Sequence, residues 1–396
     1  MKVSYGQNVY DKQEINAVVK SLKIGTQMGS SVQIFEKKLS KIFEKKYSLL
    51  VNSGSSALTM AFQCLGFKKN SNFITPVMTF GTTVAAMIQS DYIPNFIDVD
   101  KQTLCIDENQ IEKKINKKTV GFCIPNLIGN LPNWQIIKKI AKKYKLIIIE
   151  DSADTLGAKY NKSSTGKFSD ISITSFYGSH IISCAGNGGA ISLNDKKFFE
   201  KCKLLRSWGR SSSLYKDSEK IENRFNIKLD NIDYDKKFVF EIPGYNFEPS
   251  EIGAAFGLVQ LKKLKNNFKK RELNFRRHYE FVKKYKNYFL LPKVYKKSNT
   301  AWLAFPLILR HDISFKRKDL MIHLEKNGIQ TRVIFTGNVL RQPGFKRIKC
   351  IKNPRYPNAD YLMKNGILIG CHHGLNNVKM KYIQKKIETF LKKVNA

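Results

Sequence analysis

Apolar residues at Ile15, Val18, Val19 and Leu22 recur at i, i+3, i+4 and i+7, a spacing that predicts an amphipathic helix over 11–23. Val32, Phe35, Leu39 and Ile42 predict a second one. From residue 50 the pattern changes to short apolar runs alternating with helical stretches. A helix is expected to open at Ser55. Strands are expected at 73–75, 95–99 and 120–124, then a helix at 133–144 and strands at 146–150 and 171–176. Short buried strands alternating with helices predict an α/β fold with a mostly parallel, helix-covered sheet. In such sheets ligands sit at the C-terminal ends of the strands. Residues 211–237 are polar without periodicity and are expected to form a long surface excursion. One long helix is expected from 251 to about 285. A strand at 302–309, a helix at 317–327, a strand at 329–333 and a helix at 376–393 then read as a smaller α+β domain. The expected division is a large domain, 1–250, and a small C-terminal domain, 251–396.

Composition narrows the class. The chain has 396 residues, 42% of them hydrophobic and 12% aromatic, so disordered and fibrous classes are excluded. No apolar run approaches the roughly 18 residues that would cross a bilayer, and the first fifteen residues lack the apolar core of a secretory leader. The expectation is a cytoplasmic globular protein that uses no membrane. Charge is the outlier, with 69 Lys+Arg against 32 Asp+Glu and a net +37. The lysines are dispersed over polar helix faces, as at Lys138, Lys139, Lys142 and Lys143, or Lys262, Lys263 and Lys265. No zinc spacing, basic zipper or aromatic RNA-binding signature accompanies them, so nucleic acid is not the expected partner. The abundance of Lys with Ile and Asn fits an AT-rich genome, and a bias toward anionic small molecules remains. Seven cysteines without CxxC or CxC spacing predict neither a metal site nor a disulfide framework.

Three segments carry candidate chemistry. Asn52-Ser53-Gly54-Ser55-Ser56-Ala57-Leu58 passes from a strand into a helix, leaving hydroxyls and free N–H groups at the positive helix end, which suits a phosphate. A plain serine N-cap accounts for it equally well. Glu150, Asp151 and Asp154 follow a buried strand, where a carboxylate can meet a ligand cation or simply cap a helix. Ser175-Phe176-Tyr177-Gly178-Ser179-His180, followed by Gly186-Asn187-Gly188-Gly189-Ala190, sets a lone histidine and a glycine-rich return at another strand end. That histidine is either a base or a structural residue.

In this order and spacing the segments resemble the DegT/DnrJ/StrS sugar aminotransferase family, and the resemblance covers nearly the whole chain. N-S-G-S-S-A-L is similar to the family's phosphate-binding turn, T-P-V-M-T-F to its cofactor-stacking strand, and E-D-x-A-D to its pyridine-binding segment. G-Y-N-F-x-P-S-E-I-G-A-A-F-G-L-V-Q-L is similar to the helix start after the loop. The resemblance implies the aspartate aminotransferase fold (fold type I) and a pyridoxal phosphate or pyridoxamine phosphate cofactor. It implies that Ser55, Ser56 and Ser175 hold the cofactor phosphate, that Phe80 stacks on the ring and that Asp151 pairs with the pyridinium nitrogen. Such a carboxylate keeps the nitrogen protonated and the ring an electron sink. Asn246 would reach the phosphate of the neighbouring subunit's cofactor, which implies a homodimer.

The decisive departure lies five residues after Ser175. The family's aminotransferases carry there the lysine that links covalently to the cofactor, and this chain has His180. The cofactor is therefore expected to be held noncovalently, as the pyridoxamine form. The family's dehydratase branch, which acts on a GDP-linked sugar, has the same exchange. P-G-Y-N, T-G-N-V-L after Arg332, N-A-D-Y-L-x-x-N-G-I-L-I-G and the acidic Asp154 in the cofactor site are further similarities to it. The implied reaction is loss of the C-3 hydroxyl from a GDP- or CDP-linked 4-keto-6-deoxyhexose, giving a 4-keto-3,6-dideoxysugar. His180 would be base and then acid, and glutamate would re-aminate the cofactor. Surface-glycan or lipopolysaccharide synthesis is the family's usual destination. G-N-G-G replaces the family's G-E-G-G, so the loop before Gly188 is expected to differ in shape. Arg332 is a candidate clamp for a carboxylate or diphosphate, with a surface arginine as the other reading. A second dehydratase type needs a [2Fe–2S] cluster after R-x-W-G-R. Here Arg206-Ser207-Trp208-Gly209-Arg210 is followed by no cysteine before Cys350, and four thiolates are required. Two alternatives stand beside the dehydratase: a 4-aminotransferase recruiting Lys159, Lys162 or Lys167, and a cofactor-binding relative without catalysis.

Overall fold

The computed structural model describes residues 1–215 and 217–395. Seven strands form the main sheet: β1 (Tyr47–Val51), β2 (Asn72–Pro76), β3 (Ile93–Ile97), β4 (Thr119–Pro125), β5 (Ile147–Asp151), β6 (Ile171–Ser175) and β7 (Gly189–Leu193). Their spatial order is β1-β7-β6-β5-β4-β2-β3, and of the seven β7 alone runs against the others. Both faces are covered, so the strands read as continuous apolar runs. Successive residues still go to opposite sides: Phe73, Cys123 and Ile149 join one core, while Ile74, Phe122 and Ile148 pack with Trp134 and Ile137 on the other. The fold is α/β, as expected.

Several boundaries differ for identifiable reasons. The strand expected at 95–99 occupies Ile93–Ile97, because Asp98 leaves the ladder and accepts N–H bonds from Asn358 and Ala359 at the start of helix Pro357–Asn365. The glycine-rich return after His180 is in part a strand, β7. Its first residue must be glycine, since a Cβ there would lie 2.3 Å from the Ser53 carbonyl carbon. The segment 211–237, expected to be an irregular excursion, contains a short helix, Ile221–Arg224, and a hairpin, Ile227–Leu229 with Ile232–Tyr234. Asp230 and Asn231 turn that hairpin at positive φ, the two-residue turn these side chains favour. Lys216 and Ala396, inside the expected excursion and the expected small domain, lie outside the described residues.

A second, antiparallel sheet has the order β8 (Phe289–Leu290), β9 (Ala304–Leu309), β11 (Gly366–Gly370), β10 (Thr331–Val333). The N-terminus joins it: Val3 N–H donates to the Gly328 carbonyl (2.8 Å) and Gln330 N–H to the Val3 carbonyl (2.9 Å). The 33-residue helix Glu251–Lys283 runs from one core to the other. Ala254, Leu258 and Leu261 pack with Val32 and Phe35, whereas Phe275, Phe281 and Val282 pack with Trp302 and Ile383. Its N-cap Ser250 stands at the expected division and accepts from Gly253 N–H. Gly257 lets the long helix close on the helix Ser30–Ile42, because a Cβ there would lie 2.4 Å from the Phe35 ring. No helix among the described residues is long and apolar enough to cross a membrane.

Candidate active site

A cavity of about 380 Å³ opens at the C-terminal ends of the parallel strands, where ligands bind in such sheets. Ser53, Gly54 and Ser55 reach it after β1, Thr79 and Phe80 after β2, Asp151 and Asp154 at the end of β5, and Ser175 at the end of β6. Tyr177, Ser179, His180, Asn187 and Gly188 close one side, and Tyr5, Leu303 and Phe335 another. A larger groove, about 710 Å³, lies between the long helix and residues 291–302, and none of the candidate residues lines it.

The serine turn is a helix N-terminus. Ser53 is the N-cap of helix Gly54–Gln63, its Oγ accepting from Ser56 N–H at 3.1 Å. Gly54 allows Ser175 to approach, since a Cβ at 54 would lie 2.8 Å from the Ser175 Cβ. Ser55 and Ser175 therefore both line the cavity beside the helix N-terminus, whose first N–H groups have no intrahelical partner. Ser56 is buried beneath this turn, its hydroxyl donating to Asn52 Oδ1 at 2.6 Å, and does not line the cavity. The phosphate and serine-cap readings of the turn thus fall to different side chains.

The three carboxylates at the end of β5 and just after it separate. Glu150 points away from the cavity and is buried among the Asn126 amide and the Ser152, Ser169 and Ser172 hydroxyls. Asp151 faces the cavity and accepts from Thr83 Oγ1 (2.9 Å) and Ala153 N–H (3.1 Å). Burial raises its pKa despite these donors, with the charge of Glu150 adding to the effect. Asp154 accepts from Ile128 N–H at 2.8 Å. Burial pushes its carboxyl up to about 7, against that hydrogen bond and with help from Asp151. Ile128 sits at φ 59°, a strained conformation for a β-branched residue and of the kind that collects at functional sites.

His180 Nδ1 lies 3.2 Å from the Ser175 carbonyl oxygen, which fixes the tautomer, because only an Nδ1–H can bond a carbonyl. Nε2 is left as the acceptor, 4.0 Å from Asp154 Oδ1. Burial lowers the imidazole pKa to about 4, opposed by the Ser175 contact and reinforced by the Arg271 charge. Phe80 is 56% exposed, its ring packed edge-on against Phe335 at 5.9 Å and open to the cavity. Asn246 is exposed and outside this cavity, its carbonyl accepting from Asn52 Nδ2. Arg332 is exposed on β10 and lies over the Tyr5 ring, 5.6 Å from its centroid. Among the described residues no lysine lines the cavity. Lys159, Lys162 and Lys167 are exposed on a peripheral hairpin and the turn after it.

Residues from distant segments complete the walls. Tyr5 arrives with the N-terminal segment, and Gly6 is needed there, since a Cβ would lie 2.7 Å from that of Ser179. Leu303, Phe335 and the buried Arg271 behind His180 likewise carry no local motif.

A cofactor with a phosphate, a basic ring nitrogen and an aromatic plane fits this donor set. The helix end with Ser55 and Ser175, the buried Asp151 and the half-exposed Phe80 are complementary to those three features in turn.

Residues 8–388 match the profile of the DegT/DnrJ/EryC1/StrS aminotransferase family. A GDP-4-keto-6-deoxy-D-mannose 3-dehydratase of Escherichia coli O55:H7 is 31% identical over 87% of this chain and 88% of its own. A UDP-4-amino-4,6-dideoxy-N-acetyl-β-L-altrosamine transaminase of Campylobacter jejuni is 29% identical over 99% and 98%. The solved structure of an E. coli GDP-4-keto-6-deoxy-D-mannose-3-dehydratase with bound hydrated pyridoxal phosphate superposes with a TM-score of 0.87, at 28% identity over 98% of this chain and 100% of that one.

Proposed function

The chain belongs to the DegT/DnrJ/EryC1/StrS aminotransferase family of pyridoxal-phosphate-dependent, sugar-modifying enzymes, and from that premise we propose that it is a 3-dehydratase of a nucleotide-linked 4-keto-6-deoxyhexose. One observation carries this reading: His180 stands where the family's aminotransferases hold their lysine, and no described lysine lines the cavity. Covalent capture of the cofactor needs an amine, and an imidazole cannot replace it.

In this reading Ser55, Ser175 and the helix N-terminus bind the cofactor phosphate, with Ser56 supporting the turn from below. Asp151 holds the pyridinium nitrogen, and Phe80 covers the ring. The cofactor, bound as pyridoxamine phosphate, supplies an amine for the 4-keto carbon and an electron sink. His180 moves protons at Nε2: neutral at pH 7, it accepts one and then returns it to the C-3 oxygen as that group leaves. Asp154, protonated to about pH 7 by burial, orients as a hydrogen-bond donor rather than as an anion. Arg332, held over Tyr5 at the cavity edge, binds the diphosphate of the GDP- or CDP-linked sugar. Asn246 serves the cofactor phosphate of a second subunit in a homodimer, and glutamate restores the amine.

The test is product mass after incubation with pyridoxal phosphate, glutamate and a GDP- or CDP-linked 4-keto-6-deoxyhexose. A product that has lost one oxygen and gained no nitrogen is expected. A 4-amino sugar that keeps its C-3 hydroxyl would overturn the proposal in favour of transamination.

A further inference from the structure

Arg271 is fully buried in the middle of the long helix. Its five N–H groups find five acceptors, none of them a carboxylate. Nε donates to His373 Nδ1 (3.2 Å), Nη1 to the Trp302 and Leu303 carbonyls (3.1 and 3.2 Å), and Nη2 to the Ser179 and His180 carbonyls (3.4 and 2.9 Å). A buried cation without a counter-ion is costly, and buried charges are ordinarily paired. Carbonyl dipoles offset part of that cost through charge-assisted hydrogen bonds, but they leave the net charge in place. A neutral side chain tying the same strands together would avoid the cost, so the charge itself calls for a role.

The acceptors indicate where it acts. Two are the backbone oxygens of the His180 loop, and a third belongs to Leu303, which lines the opposite wall of the cavity. The guanidinium thus joins the long helix, the His180 loop and the entry to β9, as a planar fork with five donors can and an ammonium cannot. We propose that Arg271 is a positioning residue for the reaction: it fixes the Ser179–His180 backbone against Leu303 and holds the imidazole neutral, protonated at Nδ1, with Nε2 open to the cavity. This rests on the reading of His180 as the proton-moving group.

Burial and the Arg271 charge hold the His180 pKa down, and the Ser175 carbonyl opposes them. Its own loop contributes the Ser175 carbonyl and the Tyr177 ring, 6.1 Å away edge-on. The segment after β5 contributes Asp154 at 4.0 Å, which burial keeps largely protonated below pH 7, with Asp151 beyond it. The N-terminal segment contributes the buried Tyr5 phenol, whose pKa burial raises, so it stays neutral. From the C-terminal segment, His372 and His373 carry pKa values lowered to about 4 and about 2, burial first and the Arg271 charge next. Arg271 is therefore a full positive charge that this surround keeps through neutral pH, and it opposes a second cation at His180.

The experiment is ¹⁵N-histidine NMR on the full-length protein, with and without pyridoxal phosphate, the His180 signal being assigned by its loss in His180→Asn. The wild-type imidazole is expected to be neutral and Nδ1-protonated from pH 7 down to 5. Arg271→Lys keeps the charge and loses donors, so its His180 titration stays with the wild type while kcat drops about tenfold. Arg271→Gln removes the charge, and the titration and the acid limb of kcat move up together by about one pH unit, the lower end of what a nearby charge does to a buried group. A wild-type His180 already protonated at pH 6 would overturn the proposal whatever the variants do. So would Lys and Gln variants that titrate alike. Dehydration persisting in His180→Asn would instead strike the parent reading, and the NMR titrations would still report on Arg271.

Discussion

The two ends of the cavity are built in opposite ways. The serine end, which we propose holds the phosphate, is local: one strand–turn–helix from Asn52 to Leu58, closed by Ser175 through the space that Gly54 leaves. The His180 end, for which we propose proton movement, is assembled from six separated segments, contributing Tyr5, Ile128, Asp154, His180, Arg271 and Leu303. The first uses helix-end N–H groups and hydroxyls that are polar wherever they occur. The second uses burial to change what ordinary side chains do, lowering His180 to about 4 and raising Asp154 to about 7. Binding can thus rest on short-range geometry, while reactivity rests on tertiary enclosure.

The sharpest way to separate the ends is His180→Asn. Turnover should fall by a factor of about 10² to 10⁴, the range a general acid–base contributes, while cofactor affinity, read by absorbance titration, stays unchanged. Gly54→Val attacks the other end. Its Cβ meets Ser175 at 2.8 Å, and overpacking of about 1–3 kcal/mol should weaken cofactor binding about tenfold or more in the same titration. Parallel loss of affinity in His180→Asn would show that the two ends are not independent.

Next in size are the pH effects. His180, His278 and His372 are held down at about 4 by burial, below the ordinary 6.5 of histidine. Between these values the unfolded chain binds protons that the folded one does not. Their contribution is therefore complete above pH 6.5 and is lost as pH falls toward 4. Asp154 has the opposite sign: the folded chain keeps its proton up to about 7, the unfolded one only to about 3.9, so its burial costs stability as pH rises through that window. Asp154→Asn should accordingly raise Tm more at pH 8 than at pH 5, measured by calorimetry, and an equal change at both would remove the burial argument. The smallest effect is expected from Ser56→Ala. It should cost about 1 kcal/mol of stability as the hydroxyl's bonds to Asn52 and Ser53 are lost, with cofactor affinity within about twofold of the wild type, whereas Ser55→Ala weakens binding more.

The alternation of apolar runs and helical periods from residue 50 onward was enough to predict an α/β sheet with its ligand at the strand ends, because burial on both faces leaves a local trace in every strand. The turn at 52–58, the carboxylates at 150–154 and the histidine at 180 were legible for the same reason, each lying on a strand-end segment with its own composition. The Asp230-Asn231 hairpin also had a local signal, hidden by the polarity around it. Which of the clustered residues face the cavity was not legible. Glu150 and Asp151 are adjacent and go to opposite sides, and Ser55 and Ser56 divide between the cavity wall and the turn beneath it. Tyr5 and Arg271 left no trace as site residues, since Tyr5 meets Gln330 and Arg332 and Arg271 meets His180 and His373, all of them more than ninety residues away in the chain. The sequence alone determined the fold class and the replacement of a lysine by His180, because periodicity and residue identity are local properties. Tertiary structure alone decided the tautomer of His180, the burial that raises the Asp154 pKa and the placement of the Arg271 charge behind them, because desolvation and hydrogen-bond partners exist only once distant segments have packed.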